Sequence, residues 1–365
     1  MRLLICAGGT GGGVYPALAV LQTLGTDANS VLWVGGEGGM EAEMITRLSI
    51  PFTSIPAAGV HGVGLKTLPS NIARLLRGVA ASRRILADFK PDALLFTGGY
   101  VAVPMAVAAR KLPSLLYTPD IEPGLAIKAI ARFSNCIALT APESKAFFRY
   151  HKHLEITGYP TRPGLNNWKK ADALKHFGLN ESKPVLFIFG GSKGAQSINE
   201  AVFDLLPQLL DRVQILHVTG QAHIEKAEAV KDGLPNSSGY HPLPYLHEDM
   251  GAAFTAADLT VCRAGASTLG ELPLFGLPAI LVPYPYAWRY QKTNADYLVR
   301  NSGALMVKNE DLKAGLLPAV LSLLDSPEKM QSMRENMRRL ATPDAAEKLA
   351  DILRNLANKK KGPNS

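Results

Sequence analysis

An α/β protein of two Rossmann-like, doubly wound domains in tandem is what the sequence predicts. Three observations predict it. Short aliphatic or β-branched runs recur, each followed by glycines and then a helical period. That alternation breaks at Gly158-Tyr159-Pro160-Thr161-Arg162-Pro163-Gly164, whose prolines and glycines do not fit inside a regular element. Beyond the break it restarts, and 365 residues suit two domains at roughly 150 residues each.

Taken in order, the aliphatic runs predict strands at residues 3–7, 30–35, 93–97, 114–118 and 136–139. Helices over 16–24 and 40–48 fill two of the gaps, and the strand–glycine–helix rhythm implies parallel pairing with helices on both faces. After the break, strand 184–189 leads through a glycine turn at 190–195 into a helix at 197–210. Further strands are expected at 213–219, 259–262 and 279–282. The last apolar-periodic stretch, 345–356, reads as a closing helix with a frayed basic tail at Lys359, Lys360 and Lys361. The expected domains are therefore 1–160 and 161–341, with 342–365 as the closing helix and tail. Each sheet presents a ligand crevice at the carboxyl ends of its strands, and the two domains face each other across a cleft.

Composition narrows the class. Hydrophobic residues at 47% and charged residues at 19% can build a core, which excludes a disordered chain. Cys6, Cys136 and Cys262 are odd in number and far apart, so neither a disulfide framework nor a cysteine zinc site is expected, and a reducing cytoplasm fits. No apolar run approaches the roughly 18 residues that span a bilayer, and the N-terminus breaks into glycine before a signal core could form. A net charge of +8 suits a polyanionic partner. Nucleic acid is set aside, because the cations are scattered and the 7% aromatic content offers no stacking platform.

Three loops hold residues that could do chemistry. Gly8-Gly9-Thr10-Gly11-Gly12-Gly13 follows the first strand and precedes a helix, so its backbone N–H groups can approach an anion or a sugar. Its spacing is not the dinucleotide fingerprint, and a tight turn without a ligand is the alternative reading. Gly190-Gly191-Ser192-Lys193-Gly194-Ala195 repeats that logic with a hydroxyl and a cation, and could hold a diphosphate at the next helix start. It lacks the ending of a P-loop, so ATP hydrolysis is not indicated. The third runs from Cys262-Arg263-Ala264-Gly265 to Glu271. Two readings of Glu271 stand: compensation of a helix dipole, or a carboxylate accepting both hydroxyls of a ribose. Downstream, Gln291 and Asn294 are candidate polar ligand contacts, whereas Trp288 suits packing.

Together these residues resemble glycosyltransferase family 28, whose architecture is GT-B. The resemblance rests on GGTGG at Gly8 to Gly12, GGYVAVP at Gly98 to Pro104, GYPTR at Gly158 to Arg162, GGSKGAQSIN at Gly190 to Asn199, and the block CRAGASTLGELPLFGLPAILVPYP from Cys262. It implies an inverting transfer of GlcNAc from UDP-GlcNAc to the undecaprenyl-linked acceptor lipid I, forming lipid II in peptidoglycan synthesis and cell-wall biogenesis, and so serving cell shape and division. It places the protein peripherally on the cytoplasmic face of the cell membrane. It also implies donor contacts from Thr10, Gly11, Gly12, Asp120, Arg162, Gly191, Ser192, Gly194, the loop at His247, Ala266, Ser267, Thr268, Leu269, Gly270, Glu271 and Gln291. Arg162 and Ser192 would face the diphosphate, Glu271 the ribose, the loop before Met250 the uracil, and Gln291 the sugar hydroxyls. No cofactor beyond the donor is expected, and no carboxylate pair or His/Asp cluster suggests a metal, so metal independence is expected.

This chain departs from the family pattern at three places. The first loop normally ends in a histidine, a candidate for acid/base work, where this sequence has Gly13. A His-Glu-Gln-Asn segment is replaced by Tyr117-Thr118-Pro119-Asp120, and the first of two glutamines by Tyr290. A general base is worth roughly a hundredfold to ten-thousandfold in rate, so a substitute is expected. His61 and Asp120 are the candidates, with Glu122 close by. Between residues 65 and 90, Ile72, Leu75, Leu76 and Val79 recur at helical spacing. There Lys66, Arg74, Arg77, Arg83, Arg84 and Lys90 stand against the single acid Asp88. That pattern suits an anionic bilayer surface, and equally a helix packed on its sheet with a solvated face. Two other functions remain open: transfer of another UDP-sugar to another lipid, and a catalytically silent scaffold among cell-wall and division proteins.

Overall fold

Every expected strand forms, within one residue of its expected ends, in a computed structural model that describes residues 1–8, 11–59, 67–191, 194–286 and 290–361. The chain divides into two compact units, Met1–Pro163 with Pro343–Ser365, and Gly164–Thr342.

The first unit runs β1 (Arg2–Ala7), α1 (Gly11–Leu24), β2 (Ser30–Gly36), α2 (Glu41–Arg47), β3 (Phe52–Ile55), α3 (Leu68–Phe89), β4 (Ala93–Gly98), α4 (Ala102–Ala108), β5 (Ser114–Thr118), α5 (Leu125–Ala131), β6 (Cys136–Leu139) and β7 (Leu154–Ile156). Its sheet has the order β3-β2-β1-β4-β5-β6-β7, and the pairings are parallel. Helices covering both faces explain why β1 and β4 are continuous apolar runs: Leu3 to Ala7 and Ala93 to Phe96 are wholly buried. Leu4, Cys6, Phe96, Met105, Leu116 and Ile137 meet in one core.

The second unit runs α6 (Lys170–His176), β8 (Val185–Phe189), α7 (Gln196–Leu210), β9 (Gln214–Val218), α8 (Ile224–Asp232), β10 (Tyr240–Leu243), α9 (Met250–Ala256), β11 (Leu259–Cys262), α10 (Thr268–Phe275), β12 (Ala279–Leu281), α11 (Tyr290–Arg300), β13 (Ala304–Met306), α12 (Leu312–Leu324) and α13 (Pro327–Arg339). Its parallel sheet has the order β10-β9-β8-β11-β12-β13. Ile188, Val202, Leu206, Val261, Ile280 and Val320 belong to its core.

The chain then returns to the first unit as α14 (Ala345–Lys361), which packs against α1, β4 and β5. Two helices differ from expectation. The first begins at Gly11 rather than residue 16, because the glycines themselves make its opening turn and Pro16 is carried inside. The last does not fray after residue 356. Its helix continues through the lysines, since Lys360 donates to the Pro91 carbonyl and Arg354 pairs with Asp27, Glu347 and Asp351. All three cysteines are buried on strands and unpaired, and burial pushes their thiols up, Cys136 to about 11.

In both sheets the strand order reverses beside the first strand, between β1 and β4 and between β8 and β11. Those switch points are where a doubly wound sheet opens a crevice at its carboxyl ends.

Candidate functional site

At the first switch point the loop after β1 is packed against the end of β4. Gly99 has φ +84°, and a Cβ there would stand 2.5 Å from the Gly8 carbonyl oxygen, so only glycine allows this approach. The Thr97 hydroxyl donates to the Gly13 carbonyl at 2.6 Å, and a Cβ on Gly13 would sit 3.2 Å from the Thr97 carbonyl oxygen. Gly13 is therefore closely fitted to β4. Gly11 and Gly12 form the first turn of α1, whereas Thr10 and His61 lie outside the described residues.

A carboxylate that sequence reasoning missed organises this corner. Glu41 opens α2 yet is only 2% exposed, and its Oε1 accepts the Gly36 N–H at 2.8 Å. Its carboxylate occupies the space that a side chain at Gly8, Gly35 or Gly39 would need. The available signal was the glycine surplus at Gly8 and Gly35 to Gly39 just before a first-turn glutamate.

Past β5, the Tyr117 hydroxyl lies 2.7 Å from Thr140 Oγ1, which itself donates to the carbonyls of Thr118 and Pro119. Tyr117 therefore donates to Thr140, and burial raises its phenol well above the usual value. It is a strut. Asp120 is half-buried and Glu122 buried on the same loop, which the Ser144 hydroxyl pins through the Ile121 carbonyl at 2.9 Å. Arg162 falls in the first unit, its guanidinium 5.7 Å from the centre of the Tyr15 ring on α1.

The remaining expected contacts among the described residues follow the carboxyl ends of β8, β10, β11 and β12. Gly194 has φ +73°, and the Thr219 carbonyl oxygen stands where its side chain would be. Asn199 on α7 fixes that same carbonyl, Nδ2 donating at 2.7 Å. Since Asn199 Oδ1 must then accept, His217 donates from Nε2 at 3.1 Å, and its Nδ1 accepts from the Tyr240 hydroxyl at 3.0 Å. Burial drives His217 down to about 3, so this strut is a neutral imidazole. Gly191 is exposed, and Ser192 and Lys193 lie outside the described residues.

After β11, Thr268 caps the turn into α10 through its hydroxyl to the Gly265 carbonyl at 2.6 Å. Thr268, Leu269 and Gly270 are buried, as is Ala266, so their contacts to a ligand come through the backbone; Ser267 and Glu271 are half-buried and can present side chains. Gln291 accepts the Tyr284 N–H on its carbonyl oxygen at 2.8 Å. Asn294 is fully buried and donates to the Ala264 carbonyl at 3.1 Å, so it is a strut. His247 is exposed, its ring 4.5 Å from that of Tyr245.

Arg263, also missed from sequence, underlies this edge. It is 8% exposed, and its Nη2 donates to Ser197 Oγ at 2.8 Å. Its Nη1 donates to the Val282 carbonyl at 3.1 Å and Asn309 Oδ1 at 2.9 Å. Among the described residues, no three His, Cys, Asp or Glu side chains group as a metal ion would need. A cavity of about 540 Å³ lies at the opposite, amino end of β8, where Lys170 pairs with Asp258, away from these loops.

Residues 3–138 match the glycosyltransferase family 28 N-terminal domain and residues 185–350 the family 28 C-terminal domain. A UDP-N-acetylglucosamine–N-acetylmuramyl-(pentapeptide) pyrophosphoryl-undecaprenol N-acetylglucosamine transferase of Roseiflexus sp. is 40% identical, covering 98% of this chain and 95% of its own length. The protein of the same name from Desulforudis audaxviator is 37% identical, with 98% and 99% covered. Among solved structures, MurG of Acinetobacter baumannii superposes with a TM-score of 0.79 at 27% identity, over 97% of this chain and 99% of that one. A UDP-GlcNAc 2-epimerase of Neisseria meningitidis bound to UDP-GlcNAc shares the fold at 13% identity and a TM-score of 0.67, with 97% and 100% covered.

Proposed function

The chain belongs to glycosyltransferase family 28, and from that premise we propose that it moves N-acetylglucosamine from UDP-N-acetylglucosamine to N-acetylmuramyl-(pentapeptide) pyrophosphoryl-undecaprenol, the reaction for which its relatives are named. The observation that carries this reading is the second switch point. There a glycine loop, the start of α7 and the turn into α10 converge in a unit aligned with those transferases along its length.

The chemistry follows from the two edges. The C4 hydroxyl of the acceptor sugar attacks C1 of the donor sugar, the C1–O bond to the diphosphate breaks, UDP departs, and a β-1,4 bond forms. The hydroxyl proton passes to a base, for which Asp120 and His61 are the candidates and Glu122 the neighbouring carboxyl. The close fit of Gly13 to Thr97 supports placing that base elsewhere than on α1. Negative charge gathering on the leaving diphosphate meets the N–H groups opening α7, the Ser192 hydroxyl and Arg162. Glu271 receives the ribose diol, the loop at His247 the uracil, and the Gln291 amide the sugar hydroxyls. These donors serve without a metal, and turnover is expected to survive EDTA; a strict Mg²⁺ or Mn²⁺ requirement contradicts that.

No helix among the described residues is long and apolar enough to cross a membrane. On α3, Ile72 and Leu76 are exposed at 46% and 66%, with Arg77, Arg83 and Arg84 also exposed, as is Lys90 just past its end. That face supports peripheral docking on an anionic cytoplasmic leaflet, where the lipid acceptor is presented and cell-wall and division proteins would be met. Co-sedimentation with liposomes that ignores anionic lipid content argues against it.

The deciding assay is UDP release from UDP-GlcNAc with and without a micellar acceptor, beside UDP-Glc and UDP-Gal. Acceptor-dependent release with UDP-GlcNAc alone is expected. UDP binding without release under any condition favours the second reading, a silent scaffold, which the absent histidine at Gly13 keeps in view.

A further inference from the structure

We propose that Arg263 is a positioning residue whose buried charge is completed by the diphosphate of the bound nucleotide, an inference that rests on the donor reading of the second switch point. A buried guanidinium is ordinarily paired with a carboxylate, because an uncompensated charge out of water is costly. Arg263 is not so paired. Its partners are a hydroxyl (Ser197), an amide oxygen (Asn309) and the carbonyls of Val282 and Pro283, and no Asp or Glu among the described residues forms an ion pair with it. Tyr284 lies over the guanidinium at 5.3 Å and shields it further. Burial correspondingly lowers its affinity for the proton.

The neighbourhood adds to the positive potential. Ser197 stands in the first turn of α7, a 15-residue helix whose amino end already carries partial positive charge. The Ser197 hydroxyl passes the contact on to Asn309 at 2.7 Å. Arg263 thus ties the start of α7, the exit of β12 and the turn at Asn309 into one frame, and Gln291 joins it through Tyr284. Holding a cation that no carboxylate pairs at this junction costs stability in the free protein, and an anion bound nearby recovers it. A nucleoside diphosphate supplies that anion, and its departure as UDP is where the charge is greatest.

The test measures UDP and uridine binding by calorimetry on the full chain, with wild type, R263M and R263K, thermal melts showing that each is folded. R263M keeps the stem and removes the charge. It is expected to weaken UDP by about 30-fold, the worth of a charge-assisted contact, while uridine stays within about threefold of wild type. R263K restores the charge without the planar fork and is expected to recover most of the UDP affinity. Raising salt should weaken UDP binding less in R263M than in wild type. Equal loss of UDP and uridine in R263M, which a purely structural role produces, overturns the proposal, as does UDP affinity within about threefold of wild type. If R263M fails to fold, R263Q, which also removes the charge, takes its place and the same two outcomes decide. Wild type that binds no UDP overturns the donor reading itself, a result separable from any loss confined to the variants.

Discussion

The two switch points share topology and differ in the charge buried beside them. Beside the first, the glycines that follow β1 and β2 crowd a buried carboxylate, Glu41, which takes up the Gly36 N–H. Beside the second, just past β11, the buried guanidinium of Arg263 joins the start of α7 to the exit of β12 and has only neutral partners among the described residues. One backbone plan therefore serves two electrostatic tasks. An edge whose N–H groups are partly spent on an internal anion suits a sugar hydroxyl and the base that takes its proton, whereas an edge backed by a fixed cation suits a leaving diphosphate.

The strongest way to break that comparison is to remove the base. D120A and H61A are each to be assayed for turnover and for UDP affinity. If the first unit handles the proton, as proposed, one of the two is expected to lose at least about a hundredfold in kcat with UDP binding little changed. Less than threefold loss in both removes the first unit's assigned task.

Next in size is the buried anion. E41A leaves the Gly36 N–H without its partner and opens a void, at an expected cost of about 2 kcal/mol in urea unfolding. Hydrogen exchange should report the loss in β1 and β2 and spare β8 and β11. Uniform loss across both sheets would mean that Glu41 does not act locally.

The third effect comes from His217 under the second glycine loop. Its ordinary value near 6.5 describes the unfolded chain, while burial holds it at about 3 in the fold. Below pH 6.5 the unfolded chain therefore binds a proton that the folded one refuses, so stability is whole above that pH and falls towards pH 3. The slope from this group is at most about 1.4 kcal/mol per pH unit. H217Q should flatten the acid limb of the stability profile; an unchanged limb shows that the imidazole is not the group responsible.

The interior strands were legible in the sequence, and those it missed share a position. β3, β7, β10 and β13 are the edges of the two sheets. An edge strand buries less, so Phe52–Ile55 mixes Thr and Ser into its run and Tyr240–Leu243 carries His and Pro, which erases the continuous apolar signal that reveals β1 or β8. At the candidate site the glycine loops were legible because glycine is required where backbones nearly touch. Glu41, Arg263 and His217 were not, since a single charged or titratable residue reads as surface until the fold encloses it. Asn294, a candidate ligand contact by its sequence, is fully buried and donates to the Ala264 carbonyl.

The smallest expected effect tests the first edge most directly. If the chain simply lost a base at Gly13, Gly13→His should raise turnover. The packing argues otherwise. The Gly13 carbonyl is held by the Thr97 hydroxyl at 2.6 Å, and a Cβ would meet the Thr97 carbonyl oxygen at 3.2 Å, so β4 must yield before any side chain enters. An imidazole there would strain the strand that shapes the switch point. Turnover within about threefold of wild type is the expected outcome, too small for an added general base. A tenfold or greater rise would mean that the first edge has no base of its own, and that the division of labour between a proton-accepting edge and an anion-accepting edge does not hold for this chain.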